Sequence, residues 1–143
     1  MDTPVHLIDI LPTLAEVAEV TKQALPTDID GESIEPILED QDDTHLKERP
    51  LFCHFPRRST TAGTNGGSFI RKGPYKLIKT WDRKGLAEDN FASYELYHLE
   101  NDIDESENLV TQKPEVFKKL KVELNEWLSN DELLKPKLNP SYN

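Results

Sequence analysis

GSFIRKGPYKLIKTW, Gly67 to Trp81, has the pattern of a β-hairpin. Phe69 to Arg71 form one arm, Lys72 to Pro74 the turn and Tyr75 to Lys79 the other arm, with Tyr75, Leu77 and Lys79 alternating against Lys76 and Ile78. Toward the amino terminus lies a long polar loop, RRSTTAGTNGG, and before it LFCHF, Leu51 to Phe55, which has the make-up of a short strand. Toward the carboxyl terminus, DRKGLAEDN is a second polar loop and SYELYHL a further strand. Three or four strands joined in this way predict an antiparallel sheet with one face that needs cover.

That cover is PEVFKKLKVELNEWLSN, opened by Pro114. Phe117, Leu120, Leu124, Trp127 and Leu128 make an apolar helical stripe beside Lys118, Lys119, Lys121, Glu123 and Glu126. Sheet and helix together predict an α+β unit, with KPKLNPSYN trailing from it as an extended tail. Trp81, Tyr94, Tyr97, Phe117 and Trp127 suffice to fill its core.

At the other end of the chain, Ile10, Leu11, Leu14, Val17 and Ala18 recur at spacings of three and four, predicting a helix from about residue 10 to 20 with Asp9 as cap and Pro12 in the first turn. Residues 21 to 50 read as irregular connection, apart from a short helix at Ser33 to Glu39. The run EDQDDTHLKE within it reads as a solvated acidic loop without the spacing or glycine of a calcium loop. Some thirty poorly structured residues thus separate the first helix from the sheet. Either the helix packs back on the sheet, or its stripe covers something outside this chain.

The chain has 143 residues, 36% of them hydrophobic, which allows a modest core. Aspartate and glutamate total 27 against 17 lysines and arginines, a formal charge of -10 that disfavours nucleic-acid or anionic-membrane partners. A single cysteine excludes an internal disulfide and a thiolate zinc cluster. Asp2, Pro4 and Pro12 leave no signal-peptide pattern at the amino terminus. His6, His45 and His98 lack zinc spacing, and no Walker loop, dinucleotide fingerprint or GxSxG elbow occurs.

The chemistry-bearing residues cluster around the first strand. Cys53 lies beside His54, Arg57 and Arg58, which would favour a thiolate, but strand geometry sends Cys53 and His54 to opposite faces. Cys53 is expected to point into the sheet–helix core with Leu51 and Phe55, and His54 to point outward with Phe52 and Pro56. Arg57 and Arg58, followed by Ser59, Thr60 and Thr61, carry the donors that a sulfate, carboxylate or sugar needs; a solvated loop accounts for them equally well. Asp102, Asp104 and Glu105 are expected to serve a turn and cap.

The segments HLIDILPTLAEVA, DIDGESIEPIL, RPLFCHFP, FIRKGPYKLIK and YELYHLENDIDESENL, followed by the lysine-rich helix and NPSYN, come in an order that resembles the carboxyl-terminal part of the formylglycine-dependent sulfatases, the arylsulfatase branch of the alkaline-phosphatase-like superfamily. The resemblance implies that residues 1–48 end a large α/β catalytic domain and that 49–143 form the small carboxyl-terminal sheet and helix domain. The first helix would then belong to the missing large domain, its principal partner, with self-association through the same helix as the alternative. The resemblance also implies calcium and a formylglycine made from a cysteine-x-proline-x-arginine motif, both in the missing part. CHFPR at Cys53 is one residue too long for that motif, so no cofactor and no catalytic residue is expected in this chain. His54 would face a sulfated sugar or aryl sulfate, with Arg57 and Arg58 reaching toward it, while Asp30, Gly31, Tyr75, Lys76 and Leu77 match framework positions. A parent acting on host or algal polysaccharide would be periplasmic or secreted. The competing readings are a noncatalytic anion- or carbohydrate-binding module, the partner subunit of a split enzyme, and a phosphoesterase of the same superfamily.

Overall fold

Alternating apolar residues draw the second half of the chain into a four-stranded antiparallel sheet. The computed structural model describes residues 3–21, 24–55, 66–80, 93–130 and 133. The strands, neighbours in chain order, are β1 (Leu51–Phe55), β2 (Gly67–Lys72), β3 (Tyr75–Thr80) and β4 (Ser93–His98). Between β2 and β3 only Gly73 and Pro74 make the turn, and Gly73 has φ +55°, a conformation that side-chain-bearing residues resist. The register aligns Phe52, Ile70, Leu77 and Leu96 in one row across all four strands.

This row is the floor of the core. Ile70, Leu77 and Leu96 are fully buried, together with Leu120 and Leu124 of the long helix Pro114–Leu128. Phe117, early in that helix, meets Tyr94 of β4 edge-on at 5.5 Å, and Trp127, near its end, stacks on Phe52 of β1 at 4.8 Å, so the helix crosses the sheet diagonally. Lys72 Nζ donates to Glu123 (2.7 Å) and Lys79 Nζ to Asn125 Oδ1 (2.9 Å), pinning the helix from the strands beneath. Beyond β4, Asn108 Oδ1 accepts from the Leu96 amide and the Leu109 amide donates to Leu96 O, which satisfies that stretch of the sheet edge. Asp102 accepts from the Ser106 and Glu107 amides, the turn duty expected of it. The α+β architecture is therefore as the sequence predicts. Trp81 and NPSYN lie outside the described residues.

Contacts divide the chain into two units, Met1–Arg49 and Pro50–Asn143. The first contains no Phe, Tyr or Trp and organises itself around a buried charge. A 3-10 turn, Leu7–Asp9, runs into α1 (Ile10–Val17); α2 (Glu35–Leu38) and α3 (Thr44–Glu48) follow, which makes Pro114–Leu128 α4. The Asp9 carboxylate accepts from the amides of His6 (2.7 Å) and Glu32 (3.1 Å) and from both terminal nitrogens of Arg49 (2.9 and 2.5 Å). Thr13 Oγ1 donates to Asp9 O and accepts from the Ile34 amide, sewing α1 to the approach of α2. Gly31 passes so close to the Ile8 carbonyl that a Cβ there would collide with backbone, which accounts for the glycine of DIDG.

Three expectations need correction. The first helix is shorter than residues 10 to 20, and Asp9, although at its cap position, gives α1 no side-chain cap because its oxygens serve His6, Glu32 and Arg49. The short second helix spans only Glu35–Leu38. The acidic run is not simply a loop: Thr44–Glu48 is helical because Leu46 is fully buried and Lys47 pairs with Asp43 one turn back.

The inner side of α1 is also unusual. Asp9, Thr13 and Ala15 are buried, while Leu7 is 79% exposed, Leu14 62% and Val17 59%, with Ile10 and Leu11 also exposed. The helix turns polar and small residues toward its own unit and its apolar stripe to solvent.

Burial raises the pKa of Asp9, but the Arg49 hydrogen bond, the two amides and the Arg49 charge outweigh it and hold the carboxyl below its ordinary value of 3.8. A depressed folded value means that the contribution to stability is complete above the unfolded pKa and is lost as pH falls through the folded one. Asp9→Ala should cost about 3–5 kcal/mol, the range for removing one partner of a buried pair, and should abolish amide-exchange protection at Glu32 and Ile34. In the native chain the same protection should fall away as pH drops below the ordinary aspartate value and through the depressed folded one. Unchanged exchange in the variant would show that Asp9 does not hold this unit together.

Candidate functional site

The sheet has two unlike ends. One is closed by the Gly73–Pro74 turn; at the other, Phe55, Gly67, Thr80 and Ser93 align, and the connections 56–66 and 81–92 both attach there. One residue inside that end, the register sets His54, Ser68, Lys79 and Tyr94 in a row on the face that α4 covers.

His54 Nδ1 lies 2.7 Å from Ser68 Oγ, a hydrogen bond in which either partner donates according to the imidazole tautomer. The ring also meets Trp127 edge-on, with centroids 6.4 Å apart. Ser68 is 2% exposed and Lys79 5%. Lys79 Nζ, besides its bond to Asn125, sits 5.6 Å from the centre of the Tyr94 ring, where Lys121 also approaches. The row therefore contains an imidazole, a hydroxyl and an ammonium held by the sheet and by α4.

The expected orientation of β1 is reversed. Phe52 and His54, not Cys53, lie on the helix-covered face, and Cys53 shares the opposite face with Phe69, Ile78 and Glu95. Alternation fixes which residues share a face but not which face meets the helix; here the Trp127 stack draws Phe52 to α4, while Leu51, on the Cys53 side, is buried on the other face. His54 is only partly buried because it stands at the strand end, beyond the central Ile70–Leu77–Leu96 row. Arg57 and Arg58 lie outside the described residues. Ser68, which pairs with His54, follows from the register of β1 against β2, which puts it directly opposite.

Cys53 has none of the features of an activated nucleophile. Burial pushes its thiol pKa up, and the His54 amide and Lys76 charge offset this only in part. The donor set is equally unsuited to calcium. Asp42 is engaged by Thr44, Asp43 by Thr3 and Lys47, and Asp102 by Ser106 and Glu107, and no three His, Cys, Asp or Glu side chains converge among the described residues. No helix among the described residues is long and apolar enough to cross a membrane.

The chain spans about a quarter of the length of the known proteins it matches. A protein from Formosa agariphila named "Sulfatase" is 30% identical over 137 residues, which cover 87% of this chain but only 23% of that protein. A structure in complex with its substrate D-glucosamine-2-N,6-O-disulfate superposes with TM-score 0.64 at 23% identity, over 86% of this chain and 24% of the other. A phosphonate monoester hydrolase of Agrobacterium radiobacter superposes with TM-score 0.55 at 19% identity, over 85% of this chain and 24% of the other, so the fold extends across neighbouring hydrolase activities. The family described as "N-sulphoglucosamine sulphohydrolase, C-terminal" matches residues 1–131, and the chain belongs to that family, the carboxyl-terminal region of sulfatases.

Proposed function

We propose that this chain serves a sulfatase that hydrolyses sulfuric esters of carbohydrate, and that it contributes one wall of the substrate cleft rather than the reacting groups. The observation that carries this reading is the family match over residues 1–131, combined with a chain that spans 23% of its curated relative. Calcium and formylglycine, which the resemblance implies, belong on this reading to the catalytic part outside the chain. His54 is the residue assigned to the sugar, because it is held at the sheet end from which the polar connections leave. Arg57 and Arg58, on the first of those connections, are assigned to the sulfated or carboxylated parts of the same ligand. Sulfated glucosamine is the first substrate to try, since a protein of the same fold was solved with it.

Residues 1–48 are assigned to the end of the catalytic domain and residues 49–143 to the small carboxyl-terminal domain. The outward stripe of α1 supports this division, for Leu7, Ile10, Leu11, Leu14 and Val17 form a continuous apolar surface made for a partner. In the parent that partner is the remainder of the catalytic domain; in the isolated chain the stripe is free to self-associate. Leu11→Glu with Leu14→Lys should therefore shift the isolated chain toward monomer in sedimentation, yet lower the melting temperature of the full-length enzyme. A full-length enzyme as stable as before would rule out this partner.

The isolated chain, supplied with calcium, should not turn over 4-nitrophenyl sulfate, and Cys53→Ala should not alter that result. In the full-length enzyme, His54→Ala should reduce kcat/KM for D-glucosamine-2-N,6-O-disulfate about ten-fold or more beyond its effect on 4-nitrophenyl sulfate, the loss expected for one or more hydrogen bonds to a charged ligand. Equal losses on the two substrates would remove His54 from the sugar side. Turnover by the isolated chain, abolished by Cys53→Ala, would overturn the whole reading. Absence of any catalytic polypeptide that associates with or continues this chain, together with retained sugar binding, would favour a noncatalytic binding module.

A further inference from the structure

We infer that the solvent-facing stripe of α1 docks on a surface that is apolar at its centre and basic around it, borne by the catalytic part outside this chain; the choice of bearer rests on reading the chain as the end of a sulfatase. The stripe alone says only that something apolar covers it. Charge supplies the rest. Of the 27 acidic residues, 13 lie in residues 1–49, together with only three of the 17 basic ones, Lys22, Lys47 and Arg49. The first unit therefore carries the whole formal charge of -10, and residues 50–143, with 14 charges of each sign, carry none.

Three cations cannot neutralise so many carboxylates. Arg49 is bound to the buried Asp9, and Lys47 pairs with Asp43. Glu16, Glu19, Asp28, Asp30, Glu39 and Asp40 are exposed. Glu35 registers the crowding, for desolvation and the charges of Glu16 and Glu39 hold its carboxyl above the ordinary value. Such a surface selects among partners. A second copy would bring the same charge, so self-association through the stripe is opposed except where salt screens it. An anionic lipid surface is opposed for the same reason. The second unit has no surplus of positive charge to offer. A face with lysines and arginines around an apolar seat is drawn in over the Debye length, about 10 Å at 0.1 M salt, and on contact covers the exposed Leu7, Leu11 and Leu14.

Two amphipathic helical peptides that share a leucine face, one rimmed by lysines and the other by glutamates, test this chemistry on the 143-residue chain. At about 0.1 M salt the lysine peptide should bind about ten-fold tighter or more, shift the amides of α1 and lose affinity with Leu14→Ser. At about 1 M salt, where the Debye length is about 3 Å, the preference should shrink to about two-fold or less. In the full-length enzyme, Glu16→Lys with Glu19→Lys should lower the melting temperature at low salt and much less at high salt. In the 143-residue chain the same pair should leave the melting temperature in place and promote self-association, because it relieves repulsion between copies. A merely structural role for the two glutamates would destabilise both proteins alike and overturn the inference. Equal affinity for the two peptides, amide shifts confined to the sheet, or stronger self-association of the native chain at low salt than at high would also overturn it. So would a full-length enzyme indifferent to the charge reversal at both salts. Should no catalytic polypeptide continue or accompany the chain, the sulfatase reading fails, and the two peptides still report whether the stripe takes a basic surface.

Discussion

The stack of Trp127 on Phe52 is the contact on which the functional reading depends. It fixes the end of α4 over the edge strand and so decides which side of β1 meets the helix. Once Phe52 faces the helix, the two-residue period of a strand obliges His54 to face it as well and sends Cys53 to the other side. The site residue therefore owes its position to a packing preference two residues away. A weaker apolar residue at position 52 would leave the choice of face to Leu51 and Cys53, and the imidazole would stand where neither Ser68 nor Trp127 could hold it.

The two ends of the sheet divide the work between them. Gly73 and Pro74 allow no slack between β2 and β3, so the register that aligns Ile70 with Leu77 is set locally. That same register sets Ser68 beside Lys79 at the opposite end, and the pairing of β1 with β2 adds His54 to the row. The placement of Ser68 against Lys79 is thus inherited from a turn at the far end of the hairpin, and α4 holds the row from above through Asn125 and Trp127.

Much of this was legible in the residues. The hairpin, the first and last strands and α4 follow from apolar spacing, since period-two and period-3.6 patterns are written plainly in FIRKGPYKLIK and FKKLKVELNEWL. The solvent-facing stripe of α1 was foreseeable as a helix with too little of this chain to cover it. Three things were not legible. The face of β1 was not, because alternation has no sign until something packs on it. The role of Asp9 was not, because its partner is forty residues distant and nothing local distinguishes a helix cap from half of an ion pair. α3 was hidden because Leu46 is a lone apolar residue in an acidic run, and one residue makes no period.

The Asp9–Arg49 pair has a consequence for the order in which the chain is made. Asp9 leaves the ribosome forty residues ahead of Arg49, whose guanidinium neutralises it in its buried place. At about 5–20 residues per second, it waits roughly 2 to 8 seconds. During that interval a carboxylate cannot be drawn out of water at acceptable cost, so Thr13, Gly31 and α2 have no fixed centre about which to assemble. Closure comes only when Arg49 appears, at the residue that ends the first unit. The unit thus stays open until Arg49 is free to reach Asp9, a delay set by a single charge and the length of chain that separates it from its partner.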